Sequence, residues 1–138
     1  TDAAHIWADK ERREMFGDTY DIAQSSQLYD YLNTETENYL KEGRSVVFDT
    51  NFNYKKDRQH LADIAKRQGA QIKLIWLTTP VELSKQRAIG HRQFIDMTSE
   101  EFDATAGKLE PPTDDEQPIK VDGSDISLET IKTQICGL

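Results

Sequence analysis

The chain has 138 residues, 36% of them hydrophobic and 30% charged, which is enough apolar material for one globular domain with its own core. Its net charge of −8 argues against a surface built for broad, sequence-independent duplex binding, because that binding needs many basic side chains against the phosphates. Its one cysteine, Cys136, leaves no internal disulfide and no cysteine-based metal site, so the expectation is a cytoplasmic setting. No apolar run reaches the roughly 20 residues of a membrane span, and the N-terminus lacks the order of a signal peptide. A soluble chain with no membrane partner is expected, in which a local basic cluster can still hold one or two phosphates.

In chain order, residues 3–8 read as a strand entering Asp9, and residues 10–16 as a helix that Gly17 stops. Asp9 and Arg12, three apart, project from one side of that strand-to-helix junction. Over residues 21–42, Leu28, Tyr31, Leu32, Tyr39 and Leu40 recur at helical spacing, and Gly43 fits the position just past the helix end. Ser45-Val46-Val47-Phe48-Asp49-Thr50-Asn51 follows at once. Three apolar residues running into an aspartate and two small polar residues predict a strand buried on both faces that ends at a site.

Residues 55–68 form a second amphipathic helix with Leu61, Ile64 and Ala65 inward, ended by Gly69, and residues 71–78 form the next strand. Thr79-Pro80-Val81-Glu82 marks a helix start, as does Thr98-Ser99-Glu100-Glu101. Residues 108–118, with three prolines and four acids, read as a loop. A short strand over 119–122, a turn at Gly123-Ser124-Asp125 and a helix over 127–136 complete the chain. Strands alternating with helices predict an α/β fold, a parallel sheet with helices on both faces, as one domain over 1–138. The strands end in Asp9, in Asp49 with Asn51, in Thr78 with Thr79 and in Asp122 with Gly123, so one sheet edge is polar. Ligands of open parallel sheets bind at that edge.

Three groups there could carry chemistry. Asp49 suits a carboxylate that holds magnesium beside nucleotide phosphates, or equally one that caps the following turn. Asp9 with Arg12 reads either as a helix-start ion pair or as a general base beside an anchor for an anionic acceptor. Arg87, His91 and Arg92 flank Gly90, which suits a mobile lid closing on phosphates or a cationic helix end favoured by the dipole. His5 and His60 lack partners at metal spacing, Trp7 and Trp76 read as core, and Tyr29, Tyr31 and Tyr39 read as helix packing rather than a base-stacking platform.

Taken together, Asp9-x-x-Arg12, Phe48-Asp49-Thr50-Asn51, Arg58, the segment from Arg87 to Arg92, Leu109-Glu110-Pro111-Pro112 and Glu116 resemble the small P-loop kinases of the polynucleotide kinase, gluconate kinase and zeta toxin type. The resemblance covers nearly the whole chain in order. It implies an ATP-dependent phosphotransferase using Mg2+ and acting on a hydroxyl of a small or nucleic-acid acceptor, an anionic acceptor included. By position it implies Asp9 as general base, Arg12 on an acceptor phosphate, Asp49 at magnesium with Asn51 on the nucleotide, Arg87 and Arg92 as lid arginines within a lid around 86–107, and Gly123 and Ser124 near the adenine. The loop G-x-x-x-x-G-K-[ST] is formed by none of the seven glycines. In the family it precedes the stretch matching Asp9, on a central strand. About 20 to 35 residues carrying one strand, that loop and one helix are therefore expected before Thr1, and this chain by itself is expected to be inactive. Two competing readings remain: a non-catalytic scaffold of the same fold, and a haloacid-dehalogenase-like phosphatase with Asp49 as nucleophile, in which Asn51 replaces the usual second acid.

Overall fold

A computed structural model describes residues 2–18, 21–90, 97–124 and 127–136. The chain divides into two compact units, Thr1–Ile72 and Lys73–Leu138.

The first unit runs β1 (Ala4–Trp7), α1 (Ala8–Phe16), α2 (Ile22–Lys41), β2 (Val46–Asp49) and α3 (Lys55–Arg67). β1 and β2 pair in parallel, with Ala4 opposite Val46, Ile6 opposite Phe48 and Trp7 opposite Asp49. Parallel neighbours need a long crossover, and α1 with α2 supplies it. Ile6, Ala8, Leu28 and Leu32 form the core, with Phe16, Tyr39, Val46 and Phe48 packed against it. Leu28, Leu32 and Thr36 recur every four residues on α2, and the Thr36 hydroxyl returns a hydrogen bond to the Leu32 carbonyl at 2.9 Å, so a polar group is buried at little cost. α2 opens on a capping box in which Asp21 accepts from the Ala23 N–H and Gln24 reaches back to the Asp21 N–H. Gly43, at φ 75, turns the chain from α2 into β2 in a conformation that a side chain would resist.

One expectation is corrected here. β2 is not buried on both faces, because Val46 and Phe48 face the helices while Val47 is 53% exposed beside the exposed His5 and Asp49. An unbroken apolar triplet states only that each residue can be buried; which face is covered depends on the helices that pack there.

The second unit runs β3 (Ile75–Leu77), α4 (Val81–Gly90), α5 (Ser99–Ala106), a 3-10 turn (Asp114–Glu116), β4 (Ile119–Val121) and α6 (Leu128–Cys136). β3 and β4 are parallel with Ile75 opposite Ile119 and Leu77 opposite Val121, and the ladder is extended by N–H bonds from Ile119 to the Leu74 carbonyl and from Thr78 to the Val121 carbonyl. Val121 and Ala88 are buried. The expected strand over 71–78 is thus shorter, and its Trp76 is half-buried, with the Lys120 ammonium 5.4 Å from the ring centre. Thr98 and Glu101 form the expected capping box. Lys85 of α4 grips both carboxylate oxygens of Asp103 on α5, at 2.8 and 2.7 Å. The loop expected over 108–118 contains the 3-10 turn, opened by a box between Thr113 and Glu116.

Candidate functional site

In the first unit the parallel register decides the geometry. Trp7 lies opposite Asp49 at the ends of both strands, so Asp9, two residues past Trp7, and Asn51, two past Asp49, come to the same sheet edge. Asp9 lies in the first turn of α1, where a carboxylate favours the helix dipole, and Arg12 follows three residues on, toward the same side. Both are half-buried.

Asp49 is exposed, and its Oδ2 lies 3.8 Å from Nε2 of His5, whose ring stacks on Trp7 at 7° between planes. At that separation and exposure the pair adds little to stability. It does place an imidazole beside the carboxylate that ends β2, and composition gave no sign of it. Past Asp49, the Thr50 hydroxyl shares a 2.8 Å hydrogen bond with the Tyr29 hydroxyl of α2. Phe52 stands at φ 44, its ring 5.2 Å from that of Phe48, and its carbonyl accepts a 2.8 Å hydrogen bond from Nη1 of the buried Arg58. Tyr29, read from sequence as helix packing, therefore also reaches the site turn. Asn51 sits in that turn and is exposed.

In the second unit Arg87, in the last turn of α4, donates through Nη1 to the Gly123 carbonyl at 2.6 Å. Arg87, Gly123 and Ser124 thus meet at the end of β4. Asp122 accepts hydrogen bonds from the Ser124 hydroxyl and, at 2.9 Å, from the Ser124 N–H. Those bonds, the hydroxyl's first, hold the Asp122 carboxyl below its ordinary pKa. Ser124 is therefore engaged with its own turn. Arg92 and His91 lie outside the described residues.

The family model of the AAA domain matches residues 1–112. The chain belongs to that P-loop kinase-like family. No curated protein and no solved structure gives a significant match. The matched stretch of this AAA domain takes in Asp9, Arg12, Asp49, Asn51, Arg87 and Arg92, whereas Gly123 and Ser124 lie beyond it. Membership makes this a P-loop nucleotide-binding family, in agreement with short parallel strands joined through helices. Among the described residues no three His, Cys, Asp or Glu side chains cluster as a metal cage. A lone exposed carboxylate such as Asp49 is compatible with the way magnesium is usually held, by one or two carboxylates plus phosphate oxygens while it keeps most of its waters. No helix among the described residues is long and apolar enough to cross a membrane.

Proposed function

We propose that this AAA domain takes part in ATP-dependent phosphoryl transfer to a hydroxyl of a small or nucleic-acid acceptor. Support comes from one observation in a P-loop kinase-like family: the parallel pairing of β1 with β2, which sets Asp9 and Arg12 at the same edge as Asp49 and Asn51. Asp9 takes the proton of the acceptor hydroxyl, and Arg12 binds an anionic group on that acceptor through its planar guanidinium. Asp49 would hold magnesium through water, and Asn51 would offer an amide to the nucleotide. The resemblance to the small P-loop kinases assigns Arg87 and Arg92 to the charge on the transferred group, and Gly123 and Ser124 to the adenine. ATP supplies the phosphoryl group and magnesium spreads its charge.

Asp9→Asn in the full-length protein tests this reading. General-base removal costs about a hundred- to ten-thousandfold, so transfer to a panel of hydroxyl acceptors is expected to fall by that much while MgATP affinity changes less than about twofold. Undiminished turnover would remove Asp9 from the role.

A further inference from the structure

The turn from β2 into α3 is held from three directions. Tyr29 of α2 reaches its first residue through the 2.8 Å bond to the Thr50 hydroxyl, and Phe48 of β2 packs its ring on Phe52. Arg58 of α3 reaches back to the Phe52 carbonyl at 2.8 Å. Phe52 itself adopts φ 44, which a residue with a bulky side chain avoids unless its surroundings over-determine it. Arg58 is only 6% exposed. Burying a guanidinium is unfavourable unless it is hydrogen-bonded, and the Phe52 carbonyl is one of the acceptors that this buried group meets. Between the two anchors stands Asn51, exposed, directly after Asp49 and Thr50.

We infer that Tyr29 and Arg58 are positioning residues that fix the turn over residues 50–52, and so fix where the Asp49 carboxylate and the Asn51 amide stand at the sheet edge. The inference rests on the phosphotransfer reading for what the turn presents. Tyr29 is the cleaner probe, because Tyr29→Phe removes one oxygen and leaves the ring in α2.

The experiment compares the full-length protein with Tyr29→Phe, Thr50→Val and the double variant, by amide hydrogen exchange and by transfer kinetics. Exchange over residues 50–53 is expected to be about tenfold faster in each single variant, the factor for one lost side-chain hydrogen bond. The double variant should be no faster than either single one, since both remove the same bond. Turnover should fall at least tenfold at saturating ATP, with KM for ATP within about twofold, because misplacement acts on the reacting geometry. Unchanged exchange, or faster exchange with unchanged kcat, overturns the inference. If the full-length protein transfers nothing to any acceptor, the phosphotransfer reading falls instead and Mn2+ decides the positioning role. Broadening of the Asp49 and Asn51 amides by Mn2+ that weakens in Tyr29→Phe supports it, and broadening equal in both proteins or missing from both overturns it.

Discussion

Asp122 shows how much a single exposed carboxylate can organise. It closes β4, and by accepting from both the hydroxyl and the N–H of Ser124 it sets the turn whose Gly123 carbonyl receives Arg87. Because these bonds favour the ionised form, the folded pKa lies below the unfolded one, so their contribution is present above the unfolded pKa and is lost as pH falls through the folded pKa. A carboxyl-detected NMR titration should place the Asp122 midpoint below that of an unshifted aspartate. Ser124→Ala should move it up toward the ordinary value and weaken the turn at a higher pH than in the parent. A midpoint unmoved by Ser124→Ala would separate the shift from Ser124. Arg87 offers the complementary case. Its partner is a neutral carbonyl, and Arg87→Gln keeps a donor but removes the charge, so on the proposed role this variant should lower kcat about a hundredfold while leaving the thermal midpoint within about 2 °C.

At the scale of elements, α2 carries the first unit. Leu32 is 1% exposed and stands in the core with Leu28 and Ile6, so Leu32→Ala should cost about 3 kcal/mol, the usual range for a buried leucine that leaves a partly unfilled cavity. Tyr31→Ala, one residue earlier at 41% exposed, should cost less than half of that in the same denaturant titration. Equal losses would mean that the helix packs on a different face. This helix was legible before any coordinates, since leucines at 3.6-residue spacing and the glycine after its end are local facts. So were the Thr98-Glu101 box and the polar ends of the strands. The covering of β2 was not, because Val46, Val47 and Phe48 are equally apolar and only the packed helices distinguish them. Nor could the contacts that join elements be read. The Tyr29 and Thr50 hydroxyls are 21 residues apart, and Arg87 is 36 residues from Gly123. Each pairing follows from strand register and helix docking, which no local spacing encodes. Asp9, Arg12, Asp49 and Asn51 were visible as candidates because strand ends in parallel sheets are polar for a reason, whereas Tyr29 looked like ordinary helix packing and Arg58 stood out only as part of the family resemblance, with no role attached to it.

Across these 138 residues, 25 acidic side chains outnumber 17 basic ones, and this imbalance bears on what the acceptor can be. A protein that tracks a nucleic-acid strand needs a row of cations, and each phosphate it neutralises on a single strand contributes a slope of roughly 0.7 in the dependence of log affinity on log salt. With Arg12 as the proposed anchor, one phosphate is held. The log of KM for an oligonucleotide with a free hydroxyl end should therefore rise with log salt at a slope of roughly 0.7, and lengthening that oligonucleotide from two to twelve nucleotides should lower KM by less than about threefold, because the chain's net charge is of the same sign as the added phosphates. Steady-state kinetics between about 50 and 200 mM salt would distinguish the cases. A slope of several units, with KM falling a hundredfold as the strand grows, would require a basic track along the acceptor path and would overturn recognition of the acceptor through one terminal phosphate.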